Sequence, residues 1–206
     1  MAKNFKQSVK FLFQKMGVLS FAIKLANVYE AGHISSFLGA LKSYIFNNWM
    51  TFLPNHYIRT RYLKYCMGVK LGESSFIYMG CRFEGNISIG NHSVIGRNCV
   101  LNGDITIKNN VSITAETYIF TWSHFSDSPV FSAFLKPVVI EDHVWIGARA
   151  MIFPGVTIGK GAILGAASSA TKDIPDWSIS VGVPAREIGK RPDNLDYTLI
   201  HSPYFQ

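Results

Sequence analysis

The stretch VVIEDHVWIGARAMIFPGVTIGKGAILGAASSATKDIPDWSISVGVP, residues 138–184, decides the fold because its apolar residues recur at every sixth position. These aliphatic residues are Ile140, Ile146, Ile152, Ile158 and Leu164. A small or branched residue follows each of them four positions later. A period of six fits neither the 3.6-residue repeat of an α-helix nor the two-residue repeat of a single strand. It is typical of a solenoid in which each hexad forms one face of a coil.

The same register extends backwards through the chain. Nine apolar residues stand at strict spacing six: Leu71, Ile77, Phe83, Ile89, Ile95, Leu101, Ile107, Ile113 and Ile119. With three hexads in each coil, the repeat predicts a mainly β fold of about five parallel coils that rise by ~4.8 Å each. The spacing from Ile119 to Ile140 is not a multiple of six. We therefore expect an excursion over 125–133 within a protruding loop near 125–137, with a hexad restarting at Phe134. A single insertion of this kind is typical of a binding face.

The length of 206 residues fits one domain with an appendage. We divide the chain into a helical amino-terminal segment (residues 1–68), the β-solenoid (69–184) and a carboxy-terminal tail (185–206). Within the first segment, helical spacing predicts one helix before residue 30, a second beginning at Ser35 or Ser36, and a short third one over 55–68. The net charge of +7 is unevenly distributed. Residues 1–70 hold half of the Lys and Arg residues but only one acid, Glu30.

Two interpretations of the basic, aromatic amino-terminal segment remain open. It can form a helical cap that covers the open end of the solenoid, where apolar surface and backbone groups would otherwise be exposed. It can also contact anionic membrane lipid or a lipid-linked acceptor, because Trp49, Phe52 and Tyr57 lie near Arg61 and Lys64 in the sequence. No signature of nucleic-acid recognition is present, so we expect no nucleic-acid partner.

The cysteine content and the apolar runs bear on location. No run reaches the ~18 residues of a membrane span, and the amino terminus lacks the pattern of a secretory signal. An odd number of cysteines, Cys66, Cys81 and Cys99, indicates reduced thiols, so we expect a cytoplasmic protein. Cys81 and Cys99 stand one predicted coil apart and are interpreted as small buried thiols. A disulfide or a metal site is the alternative.

His124 is the candidate for acid–base chemistry. It ends the last regular hexad before the excursion, so the imidazole stands at a rigid edge beside a loop. Histidine is the side chain best suited to moving protons near neutral pH. Its position alone also fits an ordinary surface histidine. His92 and His143 occupy outward hexad positions, which favours structural or exposed roles for them.

Four motifs accompany the hexad array: VWIG (144–147), PGVTIG (154–159), ATKDIP (170–175) and GVPAR (182–186). Together they resemble the hexapeptide-repeat acyltransferases over about residues 66–191. The branch that looks most similar contains the maltose, galactoside and exopolysaccharide O-acetyltransferases. This resemblance implies a left-handed parallel β-helix, a homotrimer with active sites between subunits, acetyl-CoA as co-substrate and no metal requirement.

By the same resemblance, His124 matches the family's catalytic histidine and would act as general base on an acceptor hydroxyl. The exopolysaccharide branch often has Asp directly after this histidine, whereas here Phe125 follows and the acid is Asp127. Asp127 is therefore a weak candidate for orienting the imidazole. Asn102, which precedes the catalytic coil, is a weak candidate at the acceptor site. An asparagine in a surface turn is the alternative for it.

The resemblance also implies that acetyl-CoA lies along the carboxy-terminal coils. By matching motifs, its binding residues are Trp145, Gly147, Ala148, Ala166, Thr171, Lys172 and Arg186. The glycine and the alanines would offer backbone groups to the pantetheine arm, and Thr171 and Lys172 would meet the phosphate end. Arg186 would approach the adenosine phosphates with its fork of donors. Packing at a subunit junction is an equal alternative for Trp145, and a solvated charge is one for Lys172.

The resulting hypothesis is an acetyl-CoA-dependent O-acetyltransferase acting on a sugar hydroxyl in surface polysaccharide or glycolipid biosynthesis. An N-acetyltransferase acting on an amino sugar of a nucleotide- or lipid-linked intermediate is the alternative. The zinc carbonic anhydrases that share this solenoid need a closely spaced histidine pair, which His92, His124 and His143 do not provide. A non-catalytic scaffold disagrees with the presence of His124 beside the TKD and PAR motifs. The sequence leaves the acceptor and the acyl chain length open.

Overall fold

The computed structural model describes residues 34–201, most of which form three faces of stacked parallel strands. Two helices come first, α1 (Ile34–Asn48) and α2 (His56–Tyr65), with a 3-10 helix at Met50–Phe52 between them. The strands are β1 (Lys70–Leu71), β2 (Phe76–Ile77), β3 (Arg82–Ile89), β4 (Val94–Ile95), β5 (Val100–Ile107), β6 (Ser112–Ile113), β7 (Tyr118–Phe120), β8 (Trp122–His124), β9 (Ala133–Leu135), β10 (Val138–Ile140), β11 (Trp145–Ile146), β12 (Met151–Ile152), β13 (Thr157–Ile158), β14 (Ile163–Leu164), β15 (Ser169–Ala170), β16 (Ser178–Val181) and β17 (Arg186–Lys190).

The strands stack with the register that the hexad repeat predicts. Ile77 pairs with Ile95, and Ile95 pairs with Ile113, so successive coils are 18 residues apart. One face consists of six parallel strands, β2, β4, β6, β11, β14 and β16. The solenoid therefore makes about six turns, one more than the spacing predicted, because a shorter final coil pairs Leu164 with Ser180, 16 positions later. The mainly β, parallel architecture is confirmed and agrees with the left-handed β-helix that the resemblance implies.

The hexad residues form the core of the solenoid. From Ile77 to Ile119 and from Ile140 to Leu164, every aliphatic or aromatic residue at spacing six is at least 97% buried. Each such side chain contributes roughly 1.5–3 kcal/mol by leaving water. Serine is tolerated at the second inward position because its hydroxyl joins neighbouring coils. Ser75 Oγ accepts from the Ser93 amide at 2.9 Å, and Ser93 Oγ accepts from the Val111 amide at 3.1 Å.

Side-chain acceptors also connect the coils at one exposed corner. The Oδ1 atom of Asn91 accepts from the amide of Glu73 in the coil before it, and Asn109 accepts from the amide of Asn91 in the same way, both at 2.8 Å. Asp142 continues the ladder by accepting from the amide of Asn109 at 2.8 Å. These bonds satisfy backbone donors that the tight corner leaves without a strand partner.

The regular stacking is interrupted once. Ile107 pairs with Ile140, 33 positions later rather than 18, so this coil carries 15 additional residues. They form a hairpin in which β8 and β9 run antiparallel. The expected restart of a hexad at Phe134 is wrong, because Phe134 lies in β9 opposite Ser123 and packs on Phe125, with the ring centroids 4.6 Å apart. Regular stacking resumes only at β10, and the excursion already begins at β8.

The helix expected before residue 30 lies outside the described residues. The second predicted helix corresponds to α1 and the third to α2. By its contacts, the chain divides into two compact units between Lys42 and Ser43. In the second unit, Asn47 forms two hydrogen bonds with the backbone of Phe83, of 3.0 Å to its carbonyl and 2.9 Å from its amide. Phe46 is fully buried and packs edge-on against the same Phe83 ring.

The loop before α2 and α2 itself also bond to the first coil. Thr51 Oγ1 donates to the carbonyl of Cys81 at 2.7 Å. Arg59 is fully buried and donates to the carbonyls of Leu53 and Ile77, with 2.8 Å to the latter. These contacts favour the cap interpretation for the described part of the amino-terminal segment. Between residues 34 and 201, no helix has the length and apolar character needed to cross a bilayer.

The carboxy-terminal tail folds back along the solenoid. After β17, which pairs antiparallel with β16, the chain is extended and passes the exposed corners of earlier coils. Arg191 Nη1 donates to the carbonyl of His143 at 2.9 Å, and the amide of Leu199 donates to Asn110 Oδ1 at 3.1 Å. The tail therefore contacts coils far from its own starting point.

The described cysteines are free, as predicted. Cys66 is exposed, whereas Cys81 and Cys99 are fully buried in adjacent coils. Each buried thiol donates to a backbone carbonyl, Cys81 to Gly96 at 3.0 Å and Cys99 to Thr114 at 3.2 Å. Burial raises the pKa of the Cys81 thiol well above its ordinary value, so the residue stays a neutral core side chain.

Candidate functional site

The hairpin that interrupts the solenoid positions His124. This residue ends β8 and pairs with Ala133 in β9, and its side chain is exposed. The base of the hairpin is fixed to the solenoid through Thr121, which is fully buried. The carbonyl of Thr121 accepts from the Lys136 amide at 2.9 Å, and its hydroxyl oxygen accepts from the Asp104 amide at 2.9 Å. His124 therefore follows Thr121, a rigid point of the core, by only three positions along the chain.

Gly103 makes room for this attachment. It adopts a φ of +114° in the middle of β5, which a residue with a side chain rarely adopts. A Cβ at this position would lie 1.6 Å from Oγ1 of Thr121 in the next coil. The glycine therefore allows the threonine hydroxyl to turn inward beneath the hairpin.

The ring of His124 is held by Phe131, which lies near the tip of the hairpin. The Nδ1 atom stands 2.9 Å from the carbonyl oxygen of Phe131. The imidazole also stacks on the phenyl ring, with centroids 4.1 Å apart and an interplanar angle of 10°. A carbonyl can only accept a hydrogen bond, so Nδ1 carries the hydrogen. In the neutral ring, Nε2 is then the basic nitrogen.

The structure shows the carbonyl of Phe131 rather than Asp127 at Nδ1, and an orienting role for Asp127 stays a prediction. The carbonyl of Phe131 occupies the position on Nδ1 that an orienting carboxylate would take. Asp127 is instead an exposed residue of the hairpin loop. The sequence could not indicate the actual partner, because any residue supplies a backbone carbonyl.

Asn102 lies in β5, one coil before Phe120 in β7. Its carbonyl accepts from the Thr121 amide at 3.0 Å, so its backbone supports the base of the hairpin. Its side-chain amide points to Glu84 of the preceding coil, at 3.5 Å from Oε2. A role for the Asn102 side chain at the acceptor remains a prediction.

Thr171 and Lys172 belong to the same corner of the solenoid as the hairpin. Ile119, Ile152 and Ala170 stand in register on one face, so the hairpin after β7 and the residues after β15 leave that face at equivalent positions. Two coil spacings, about 10 Å along the axis, separate these positions. Both Thr171 and Lys172 are exposed.

Two backbone hydrogen bonds place Arg186 near the corner that carries Thr171 and Lys172. The Ser169 amide donates to the carbonyl of Gly182 at 2.9 Å, and the Ala185 amide donates to the carbonyl of Ser169 at 2.8 Å. The PAR motif therefore lies beside β15, the strand that leads to Thr171 and Lys172. The Arg186 guanidinium is exposed and donates to the carbonyl of Ala185.

Three further residues that the sequence predicts to bind acetyl-CoA lie at the next corner, after β11 and β14. The amide of Gly147 donates to the carbonyl of Leu164 at 2.7 Å. A contact between the backbone of Gly147 and the pantetheine arm stays a prediction. A Cβ at Gly147 would lie 2.4 Å from the backbone nitrogen of Ala166, so the glycine serves the close approach of two coils. Ala166 is exposed and Ala148 is half-buried, and they stand one coil apart.

Trp145 projects from β11 and is about half exposed. Its Nε1 donates to the hydroxyl oxygen of Thr114 at 3.3 Å, and that hydroxyl donates to the carbonyl of Ile146 at 2.7 Å. The indole is thus fixed on a face that does not carry the hairpin. Neither alternative for Trp145, substrate contact or a subunit junction, is decided by these bonds.

The face made by β7, β12 and β15 separates the two corners, and its outward side chains are apolar. Tyr118 pairs with Met151 across adjacent coils, and both are exposed. Phe153 follows Met151 on the same face and is 40% exposed. The candidate site is therefore an apolar face with His124 at one edge and Ala166 at the other.

Within residues 34–201, no group of three or more His, Cys, Asp and Glu side chains is arranged to hold a metal ion. The expectation that no metal is required stays a prediction. His92 and His143, the other histidines considered, lie at a corner remote from the hairpin. His143 donates to the carbonyl of Tyr197 at 3.2 Å through Nε2, which indicates a structural role in holding the tail.

Two family models match the solenoid. The model described as hexapeptide repeat of succinyl-transferase matches residues 137–169, and the one described as bacterial transferase hexapeptide matches residues 68–103. A putative acetyltransferase of Schizosaccharomyces pombe is 39% identical over 85 residues, which are 40% of this chain and 41% of the relative. The chain thus spans about two fifths of the length of the curated relatives it matches.

Two solved structures extend the similarity over more of the chain. The N-acyltransferase AntD from Bacillus cereus, in complex with dTDP and 3-hydroxybutyryl-CoA, has a TM-score of 0.57 and 28% identity. That match covers 60% of this chain and 73% of AntD. A maltose O-acetyltransferase from Clostridium difficile has a TM-score of 0.56 and 27% identity, and covers 75% of this chain and 85% of the other.

Proposed function

Because this chain belongs to the superfamily of hexapeptide-repeat acyltransferases, we propose that it transfers an acetyl group from acetyl-CoA to a sugar hydroxyl. The modified sugar belongs to a surface polysaccharide or a glycolipid in this proposal. The similarity to a maltose O-acetyltransferase supports the choice of a sugar hydroxyl.

The hydrogen bond from His124 Nδ1 to the carbonyl of Phe131 carries the proposal. It leaves Nε2 unprotonated on an exposed ring, which is what a general base needs. Nε2 takes the proton of the acceptor hydroxyl as that oxygen attacks the thioester carbonyl. When the tetrahedral intermediate collapses, the carbon–sulfur bond breaks and the imidazolium returns the proton to the thiolate of CoA. The products are the acetyl ester and free CoA.

In this proposal acetyl-CoA lies along the carboxy-terminal coils, in the cleft between the face of β7, β12 and β15 and a neighbouring subunit. Ala148 and Ala166 contact the pantetheine arm, while Lys172 and Arg186 bind the phosphate groups. Both cations are exposed at the end of the face that carries Thr171. Charge-assisted bonds from such groups to phosphate are among the stronger polar contacts in proteins.

We propose a homotrimer with the active sites between subunits. The exposed apolar side chains of Tyr118, Met151 and Phe153 support an interface on the face that adjoins the hairpin. A partner on this face would place a wall opposite His124 and exclude water from the site. It would also bury surface that a monomer leaves exposed.

We further propose a cytoplasmic location with peripheral contact to the inner face of the membrane, or to a lipid-linked acceptor, through the amino-terminal segment. Trp49, Phe52 and Tyr57 are each at least 60% exposed, and such rings suit the membrane interface. Sedimentation with vesicles rich in anionic phosphatidylglycerol tests this contact. Replacing Trp49 and Phe52 together by Ser should reduce the bound fraction, and equal sedimentation of both proteins would reject the contact.

N-acetylation of an amino sugar on a nucleotide- or lipid-linked intermediate is the second candidate. The similarity to AntD, an N-acyltransferase bound to dTDP and an acyl-CoA, favours it. An uncharged amine would attack the same thioester. The two candidates differ only in the acceptor atom, so one assay separates them.

The test measures the release of free CoA from acetyl-CoA in the presence of a panel of neutral sugars and nucleotide-linked amino sugars. We expect turnover with a sugar hydroxyl and a loss of at least about 100-fold in His124→Ala. Ser126→Ala is the matched control, because Ser126 is an exposed residue of the same loop. Turnover by His124→Ala at the wild-type rate would reject the general base. Turnover with amino sugars alone would replace the O-acetyl proposal by the N-acetyl one.

A further inference from the structure

A second concave surface lies between α2 and the first coil of the solenoid, away from the hairpin. This groove has a volume of about 340 Å³. Its lining includes His56, Tyr57, Thr60, Arg61, Lys64 and Tyr65 of α2 and Ser75 of the first coil. The proposed acyl transfer assigns no role to it.

The lining of this groove is cationic. Arg61 and Lys64 are exposed, and within residues 34–201 neither of them forms an ion pair. No acidic residue occurs between Glu30 and Glu73, and Glu73 is not part of the lining. Arg61 and Lys64 stand three positions apart on α2, so two like charges repel each other at close range.

The donors of the groove converge because of the helical repeat. Tyr57, Arg61 and Tyr65 stand four positions apart and therefore lie above one another on α2. Arg59 and Leu63, on the opposite side of α2, are fully buried and fix the rotation of the helix. The groove thus presents a guanidinium, an ammonium and two phenol groups from a helix whose orientation cannot change freely.

Other polar groups of the lining are already bonded within the protein. The hydroxyl of Thr60 donates to the carbonyl of His56 at 2.9 Å. Ser75 Oγ donates to the carbonyl of Gly90 at 2.6 Å and accepts from the amide of Ser93. The groups left for a ligand are therefore Arg61, Lys64 and the two tyrosine hydroxyls, which can all donate to an anion, together with the buried Nδ1 of His56, which has no hydrogen-bond partner within residues 34–201.

We propose that this groove binds a phosphate group, with Arg61 and Lys64 as the charged contacts and the rings of Tyr57 and Tyr65 along its rim. A planar guanidinium and a neighbouring ammonium are the side chains that most often bind phosphate oxygens. The phosphate can belong to a soluble diphosphate or to the headgroup of a phospholipid. The proposal is independent of the chemistry at His124.

The first experiment measures binding of inorganic pyrophosphate to the full-length protein by phosphorus NMR line broadening. The test variant is Arg61→Gln combined with Lys64→Gln. The matched control is Arg82→Gln combined with Lys108→Gln, which removes the same charge from exposed positions in the solenoid. We expect roughly 100-fold weaker binding in the test variant, equivalent to two lost charge-assisted contacts, and wild-type binding in the control.

The second experiment identifies the source of the phosphate. Vesicles of phosphatidylglycerol and of neutral phosphatidylcholine are sedimented with the same three proteins, and pyrophosphate is added as competitor. Sedimentation with anionic vesicles that is lost in the test variant and on addition of pyrophosphate indicates that the ligand is a lipid headgroup. Pyrophosphate binding without such vesicle binding indicates a soluble ligand. Equal weakening by both double variants, or no binding of either probe by the wild type, overturns the proposal. Far-UV circular dichroism verifies that the variants are folded.

Discussion

Gly103 lies directly beneath Thr121, so close that a Cβ on the glycine would stand 1.6 Å from the threonine hydroxyl oxygen. Because Thr121 fixes the base of the hairpin, Gly103→Ala must displace either the hairpin or β5. The substitution also forces alanine to adopt a φ of +114°. We expect a loss of about 2–4 kcal/mol in the free energy of unfolding, measured with urea. Gly189→Ala is the control, since a Cβ there meets no atom within 4 Å, and an equal loss in both variants would contradict this account.

The contact between His124 and Phe131 predicts a single tautomer of the neutral ring. Nitrogen NMR of the imidazole should show a protonated Nδ1 and an unprotonated Nε2, because the Phe131 carbonyl accepts only from Nδ1. Phe131→Gly should weaken this preference, since it removes the stacked phenyl ring and loosens a residue with a φ of +49°. We expect kcat to fall about tenfold in this variant. A protonated Nε2 in the wild-type protein would contradict the predicted tautomer.

The repeats of the sequence predict the coils of the solenoid. The hairpin and the tail have no repeat, so their structure could not be predicted in the same way. Ile77 to Leu164 show the spacing of six because every coil repeats the same packing environment, so the core could be identified in advance. Phe134 satisfies that spacing by coincidence, and its ring contact with Phe125 in the hairpin depends on a local pairing that has no period. The path of the tail depends on individual hydrogen bonds, such as the one from Arg191 to the carbonyl of His143, and no sequence pattern predicts them.

The candidate site was predictable in part, for a related reason. Motifs predict roles for His124, Lys172 and Arg186 because these roles need particular side chains, and the roles stay predictions. The motifs do not identify Phe131, whose contribution to the His124 hydrogen bond is a backbone carbonyl. They also do not show that the amide of Gly147 is already bonded in the stack of coils.

The phosphate contacts of acetyl-CoA can be tested by removing Lys172 and Arg186. We expect Lys172→Ala and Arg186→Ala each to raise the dissociation constant of CoA by roughly tenfold, because a charge-assisted hydrogen bond contributes about 1.5 kcal/mol. Dephospho-CoA lacks the 3′-phosphate. If only one of the two cations contacts this phosphate, the variant without that cation should bind dephospho-CoA as tightly as the wild type does. Isothermal titration calorimetry measures these constants. Lys108→Ala is the charge-matched control, and an unchanged constant in Lys172→Ala would reject its assigned role.

His56 predicts a dependence of stability on pH. Burial, followed by the nearby Arg59 guanidinium, lowers the pKa of its imidazole below the value of 6.5. The folded state therefore disfavours protonated His56. The contribution of neutral His56 to the free energy of unfolding is fully present above pH 6.5 and is lost as the pH falls through the lowered pKa. In His56→Phe, which can keep the stacking on Phe76, urea midpoints between pH 7.5 and 5 should fall less steeply than in the wild type. An identical slope in His56→Phe and the wild type would refute the assignment.

Met151 tests the proposed subunit interface. It is 42% exposed beside Tyr118 on the face that adjoins the hairpin, so Met151→Arg should place a charge in the middle of a trimer contact. Desolvating an unpaired charge costs several kcal/mol, which is enough to dissociate the assembly at micromolar concentration. Light scattering coupled to size exclusion should show a trimer for the wild type and a monomer for the variant, with loss of CoA release. Thr106→Arg is the control, since Thr106 pairs with Val139 on a face that carries neither Met151 nor Trp145, and it should remain trimeric. A monomeric wild-type protein, or a trimeric and active Met151→Arg, would exclude this face as the interface.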